Sequence, residues 1–297
     1  MPLSAAEVGK RYPPFAQEVD ARWLMSYAAG LGDALDCYLD SCREGGIVAH
    51  PVFPVAVEWE PILARRHDAD FPGALTFPEL ARGVHSAHDL HLHRPIVPDD
   101  RLTTEVEQAG AYATRAGAVS MTRLETRDAS GEPVCTTYMQ NLYRGVALEG
   151  GEAWSATPPP LPDFAHADAV AHRMPIPVRA EAAHVYTECA RIWAPIHTDR
   201  AVALAAGLPD IILHGTCTLA LAVSRVIERC VGDPRRVTRL GCRFTGMVRM
   251  PSTVMLHVDR EAHDRVSFEA RNEDGRSALQ GGYVCWTSHE FRESAPR

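Results

Sequence analysis

The chain has 297 residues, 46% of them hydrophobic and 23% charged, with a formal net charge of −8 at pH 7. That length holds two ordinary domains or one large one around a sizeable core, and that balance excludes a disordered chain. The acidic sum argues against a nucleic-acid partner; Lys10 is the only lysine, so any basic patch is built from arginine, whose planar fork suits phosphate.

The N-terminal "MPLSAAEVGKRYPPF" lacks the apolar core of a signal peptide, and no segment is long and apolar enough to span a membrane. Eight cysteines stand in apolar surroundings without a C-x-x-C pair, so reduced thiols and a cytoplasmic location are expected. The first apolar pattern, "ARWLMSYAAGLG", predicts a helix stopped by Gly30 and Gly32. "PVFPVAVEWEPILARRH" predicts a second, with prolines at its entrance. The period then changes. "VHSAHDLHLHRPIV", "RLTTEVEQAGAYA", "AGAVSMTRLETRD" and "PVCTTYMQNLYRG" read as four strands separated by turn-type breaks, which predicts an antiparallel meander.

"GVALEGGEAWSATPPPLPDF" is rich in Pro and Gly and has no period, so residues 146–178 read as a linker between an N-terminal half, 1–145, and a C-terminal half, 179–297. The second half repeats the plan. "RAEAAHVYTECARI" is helical and ends before Pro195, "DRAVALAAG" is a short helix closed by Gly207, and "GTCTLALAVSRVIERCVG" is a long one closed by Gly232. Four strand-like runs follow: "TRLGCRFTGMV", "STVMLHVDR", "RVSFEARNED" and "SALQGGYVCWTS". Helices followed by a sheet, twice, predict an internal duplication. A helix as apolar as "TLALAV" belongs in the concave face of its own curved sheet.

His197, in "RIWAPIHTD", is the leading acid/base candidate, because an imidazole works in either direction near neutrality. Cys217 falls in the first turn of the long helix, where a thiolate is favoured, although a small residue packed under the sheet accounts for it better. His85, His88, His91 and His93 in "HSAHDLHLH" have the look of a metal site, but a plain strand accounts for them better.

"IHTDRAVALAAGLPDIILHGTCTLALAVSRVI" resembles the hydratase-2 motif of the MaoC-like (R)-specific enoyl-CoA hydratases and dehydratases, through His197, Asp199, Ala206–Gly207, the run Ile212–Gly215 and Thr218. "YAAGLGD", "HPVFPVAV", "DLHLHRPIVPDDRLTTE" and "ETRDASGEPVCTTYMQNLYRG" resemble the degenerate first repeat of its two-repeat members. The resemblance implies an α+β double hotdog, each repeat a long helix wrapped by a curved antiparallel sheet. It also implies an acyl-CoA or acyl-carrier thioester substrate, with the acyl chain held by the first repeat and the chemistry in the second. CoA enters only with the substrate, no metal or redox cofactor is implied, and the chain is a monomer with an internal pseudo-dimer or a homodimer. His197 takes the acid/base role and the Gly215 N–H the oxyanion role, at a helix start where donors and dipole both favour negative charge.

The family pattern has Asp five residues before that His and Asn three before it; here these are Ile192 and Ala194, which make the pocket more apolar. Glu188, one helical turn before Ile192, is the nearest substitute carboxylate; Tyr186 points elsewhere. Asp199 reads as a helix cap, and His214 as an anchor of the loop and part of the substrate pocket. Arg243 and Arg249 are available to the CoA phosphates. Altered chemistry on the same histidine (isomerisation, another elimination or cyclisation) and a non-catalytic acyl-binding module are the competing readings.

Overall fold

The computed structural model describes residues 2–66 and 82–287. Strand β1 (Arg11–Val19) feeds helix α1 (Ala21–Leu31), which Asp20 starts by accepting the Trp23 N–H and Gly32 ends in the left-handed conformation. A helix broken at Glu58, α2 (Pro54–Val57) and α3 (Trp59–Arg66), precedes β2 (Gly83–Leu92), β3 (Asp100–Thr114), β4 (Gly117–Arg127) and β5 (Pro133–Arg144). The second half runs β6 (Asp168–Val178), α4 (Ala182–Ala190), α5 (Arg200–Ala205), α6 (Gly215–Val226), then β7 (Val237–Phe244), β8 (Ser252–Ala262), β9 (Arg265–Arg271) and β10 (Ser277–Trp286).

These ten strands form one sheet in the order β1-β3-β4-β5-β2-β7-β10-β9-β8-β6. Outward from the central β2–β7 pair the order is the same on both sides. The duplication is therefore a pseudo-twofold with β2 and β7 at its seam, paired antiparallel from Arg239 opposite His91 to Arg243 opposite Ala87. The expected meander holds for β3, β4 and β5. It fails for β2, which leaves its successor to occupy the seam.

Two edge strands differ from the expectation. β6 lies inside the stretch read as a linker, and β1 precedes the first expected element. Each carries two prolines, Pro13 and Pro14 or Pro175 and Pro177. Proline cannot donate to a ladder but is tolerated on an edge, so these strands resemble loops in sequence.

Helix α6 lies in the second half's concavity, where Leu219, Ala220, Ala222, Val223 and Val226 have no solvent exposure and pack with Leu240, Leu256 and Val284. Burying five such side chains favours folding by several kcal/mol, at roughly 25 cal/mol per Å² of apolar surface. Helices α1 and α4 cross the pseudo-twofold against each other. At their contact a Cβ on Gly30 would stand 2.9 Å from Cys189 Cβ, so only glycine permits the approach. Beneath it Tyr27 and Tyr186, both fully buried, pair hydroxyl to hydroxyl at 3.3 Å, and Tyr186 donates onward to Thr216.

On the opposite side of the seam Asp89 accepts from Arg239 through both carboxylate oxygens and from the Tyr283 hydroxyl. Arg239 also donates to the carbonyls of Pro159 and Pro160, tying the connecting segment across the outer face.

Candidate active site

The chain leaves α4 by an unusual exit. Arg191 takes the left-handed conformation at φ 58°, a place usually given to glycine, and its guanidinium lies 4.2 Å over the Trp23 ring. This sends Ile192 into the core and Trp193, half exposed, to the surface. A single turn, Pro195–His197, presents the histidine, and Asp199 caps α5 by accepting the Ala201 and Val202 N–H groups, as expected.

His197 Nδ1 sits 2.8 Å from the Ile212 carbonyl. A carbonyl only accepts, so Nδ1 carries the proton and Nε2 keeps its lone pair, with no partner among the described residues. Burial lowers the pKa of this imidazole, against an opposing push from the Ile212 carbonyl. It is therefore neutral at physiological pH and ready to accept a proton.

The His197 ring stacks on His214, with centroids 3.7 Å apart and planes at 28°. His214 is buried, its Nε2 meets the Thr187 hydroxyl at 3.2 Å, and burial together with His197 pushes its pKa down to about 2. His214 thus stays neutral while fixing the plane of its neighbour, which fits the anchoring role expected for it. Gly215 follows as the first residue of α6, where its N–H has no acceptor within the helix. A Cβ there would stand 2.8 Å from the Phe244 ring, so the absence of a side chain both seats that aromatic and leaves the N–H approachable.

The other expected residues are placed less centrally. Glu188 is exposed on the outer face of α4, and no hydrogen bond or ion pair joins it to His197 among the described residues. It lines a shallow cavity of about 330 Å³ with Thr187, Trp193, Ala194 and Pro195. Cys217 is buried, and burial pushes its thiol far up, so the reactive thiolate weighed for it does not form. Arg243 is exposed and bonded to Gln280, whereas Arg249 is taken up by Glu273 and Asp274.

The four histidines of the seam strand do not converge. His91 bonds Asp89 and His93 bonds Thr136, while His85 and His88 turn to the other side with their rings 5.3 Å apart. Thr187, Phe244 and the Ile212 carbonyl were not among the expected site residues. Only Thr187 left a sequence signal, a polar residue on the buried face of an amphipathic helix.

Residues 163–279 match the description "MaoC like domain", and residues 6–137 match "FAS1-like, dehydratase domain region". The peroxisomal enoyl-CoA hydratase 2 of Arabidopsis thaliana is 28% identical over 227 residues, covering 72% of this chain and 71% of that protein. The crystal structure of a MaoC-like dehydratase from Phytophthora capsici superposes with a TM-score of 0.81 at 20% identity, over 95% of this chain and 97% of that one. A Mycobacterium tuberculosis protein described as a double hotdog superposes with a TM-score of 0.60 at 17% identity, over 94% and 95%.

Proposed function

Because the chain belongs to the MaoC-like dehydratases, in their double-hotdog form, we propose that it is a hydro-lyase catalysing reversible hydration of a trans-2-enoyl thioester to the 3-hydroxyacyl thioester. The observation that carries this reading is the set tautomer of His197, which leaves Nε2 free on a ring stacked against His214, the residue that precedes the start of α6.

In the hydration direction Nε2 takes a proton from water as the water oxygen bonds to the β-carbon. The electron pair moves through the double bond onto the thioester oxygen. The Gly215 N–H meets the charge arising there, a contribution of about 3 kcal/mol for a well-placed donor. The imidazolium then returns its proton to the α-carbon, and the enolate collapses. With Ile192 and Ala194 where the family pattern has Asp and Asn, one imidazole performs both transfers, and neither needs Glu188, which is exposed on α4.

The thioester is the proposed partner, with CoA part of the substrate and no further cofactor needed for these steps. The molecule acts as an internal pseudo-dimer in the cytoplasm. Among the described residues no helix is long and apolar enough to cross a membrane.

A second reading, α-proton abstraction leading to isomerisation, is favoured by the apolar surroundings of Ile192, which is 5% exposed. One assay separates them. The protein is incubated with short, branched and longer trans-2-enoyl-CoAs in ¹⁸O-labelled water while the conjugated thioester absorbance is followed. Hydration requires loss of absorbance with label in the product. Loss without label, a proton having moved from the γ-carbon to the α-carbon, gives the site to isomerisation, whose reverse is the α-proton abstraction. No loss with ligand bound leaves an acyl-binding module.

A further inference from the structure

The second pair of histidines on the seam strand has no role in these steps, and its chemistry is incomplete. His88 is 3% exposed, and neither of its ring nitrogens has a hydrogen-bond partner among the described residues. The Nε2 of His85 is likewise buried and unpartnered. Buried polar atoms are paired in the great majority of cases, and each unpaired one disfavours the folded state by about 1–3 kcal/mol. Three such atoms on two adjacent rings are a cost that nothing among the described residues offsets.

Their position connects them to the reaction centre. The His85 ring lies 4.6 Å from Phe244, and Phe244 is the ring seated against Gly215. In the sheet His88 stands opposite Cys242 of β7 and Met139 of β5, both buried. Its neighbour Asp89 faces the other way, to Arg239 and Tyr283. From the oxyanion donor, one aromatic ring leads to the two imidazoles.

We propose, resting on the hydratase reading above, that His85 and His88 bind an uncharged hydroxyl carried by the acyl chain beyond the reacting carbons. A neutral imidazole offers one donor and one acceptor, and a hydroxyl needs one of each. Burial keeps both rings neutral, holding His85 at about 3, with help from His88, and His88 at about 4. Neither supplies a cation for a carboxylate. Asp89, the nearest charged group in sequence, already has its partners on the far face. A hydroxyl between the rings pairs one nitrogen on each, whereas a plain alkyl chain would leave all three unpaired and is the substrate that this site discriminates against.

The test is a ratio measured within one protein preparation, so it does not depend on how much of a variant folds. Pairs of trans-2-enoyl-CoAs of equal length, one plain and one hydroxylated at successive distal carbons, are compared by kcat/KM. The matching saturated acyl-CoAs are compared by calorimetric Kd. The unmodified protein should favour one hydroxylated isomer by roughly tenfold to a hundredfold, the worth of pairing a buried polar group. In His88→Leu and His85→Phe the ratio should fall towards one. A ratio near one in the unmodified protein, or a preference that survives both substitutions, overturns the proposal. Turnover and binding fail separately: a hydroxyl preference in Kd without hydration of any thioester sinks the hydratase reading alone, and no binding of any acyl-CoA sinks both.

Discussion

At the scale of single residues, the site is a stack of two neutral imidazoles, each held by an oxygen atom. Ile212 decides which nitrogen of His197 is basic, and Thr187 holds His214 beneath it. Thr187 is a positioning residue in this account. Thr187→Val keeps the shape but leaves a buried nitrogen unpaired, which should cost about 1–3 kcal/mol of stability. It should also lower kcat several-fold with little change in KM, and Thr187→Ser should restore both; thermal unfolding and steady-state kinetics check this. His197 and Gly215 were legible in the sequence because their motif is contiguous. The hydroxyl under His214 and the aromatic against Gly215 come from distant segments, and a backbone carbonyl such as that of Ile212 leaves no trace in residue identity. Cys217 shows the converse. Its place at a helix start suggested a thiolate, but burial decides the matter the other way.

At the scale of elements, the helices and eight of the strands follow from periodicity and their stop signals. The two edge strands were hidden by prolines, since β1 and β6 are legible only once their partners β3 and β8 are known. The packing of α1 on α4 was equally invisible, because it depends on Gly30 meeting Cys189 across the pseudo-twofold. Gly30→Val should force these helices apart and cost about 1–3 kcal/mol, the usual penalty for overfilling a tight contact. Cys189→Gly in the same chain should recover part of the loss, so a double-mutant cycle on unfolding free energy reads their coupling. Since α4 carries Tyr186 and Thr187 and leads into the turn that presents His197, the single variant should lose the proposed activity at temperatures where it is still folded.

At the scale of the whole molecule, the duplication closes one sheet through the β2–β7 seam, with the proposed chemistry on one side and the Asp89–Arg239 clasp on the other. Four histidines shape its response to acid: burial holds His50 at about 3, His85 at about 3 with help from His88, and His88 at about 4, while burial and His197 hold His214 at about 2. Each stays neutral when folded and takes up a proton near pH 6.5 when unfolded. Their stabilising contribution is therefore complete above pH 6.5 and is lost as pH falls from there towards the folded values. Four protons correspond to about 5 kcal/mol per pH unit, against a total stability of about 5–15 kcal/mol. Glu58 acts in the opposite sense, since burial raises its carboxyl to about 8 despite the Thr137 hydrogen bond. It offsets one of the four protons between pH 4.5 and 6.5. Circular dichroism against pH should show cooperative unfolding well above pH 4, and a fold unchanged down to pH 4 would contradict these burials.

The most direct measurement on the central claim, that His197 alone carries the proton in both directions, is the pH dependence of kcat/KM for enoyl-CoA hydration with His197→Gln alongside. Burial lowers the His197 pKa, so the rate should stay level from neutrality down past pH 6.5 and then fall with a single ionisation as the imidazole is protonated. The variant should lose about 10²–10⁴ of the rate, and with it that ionisation. A variant that hydrates at the unmodified rate would contradict the account and move the base to another group, such as the Glu188 carboxylate.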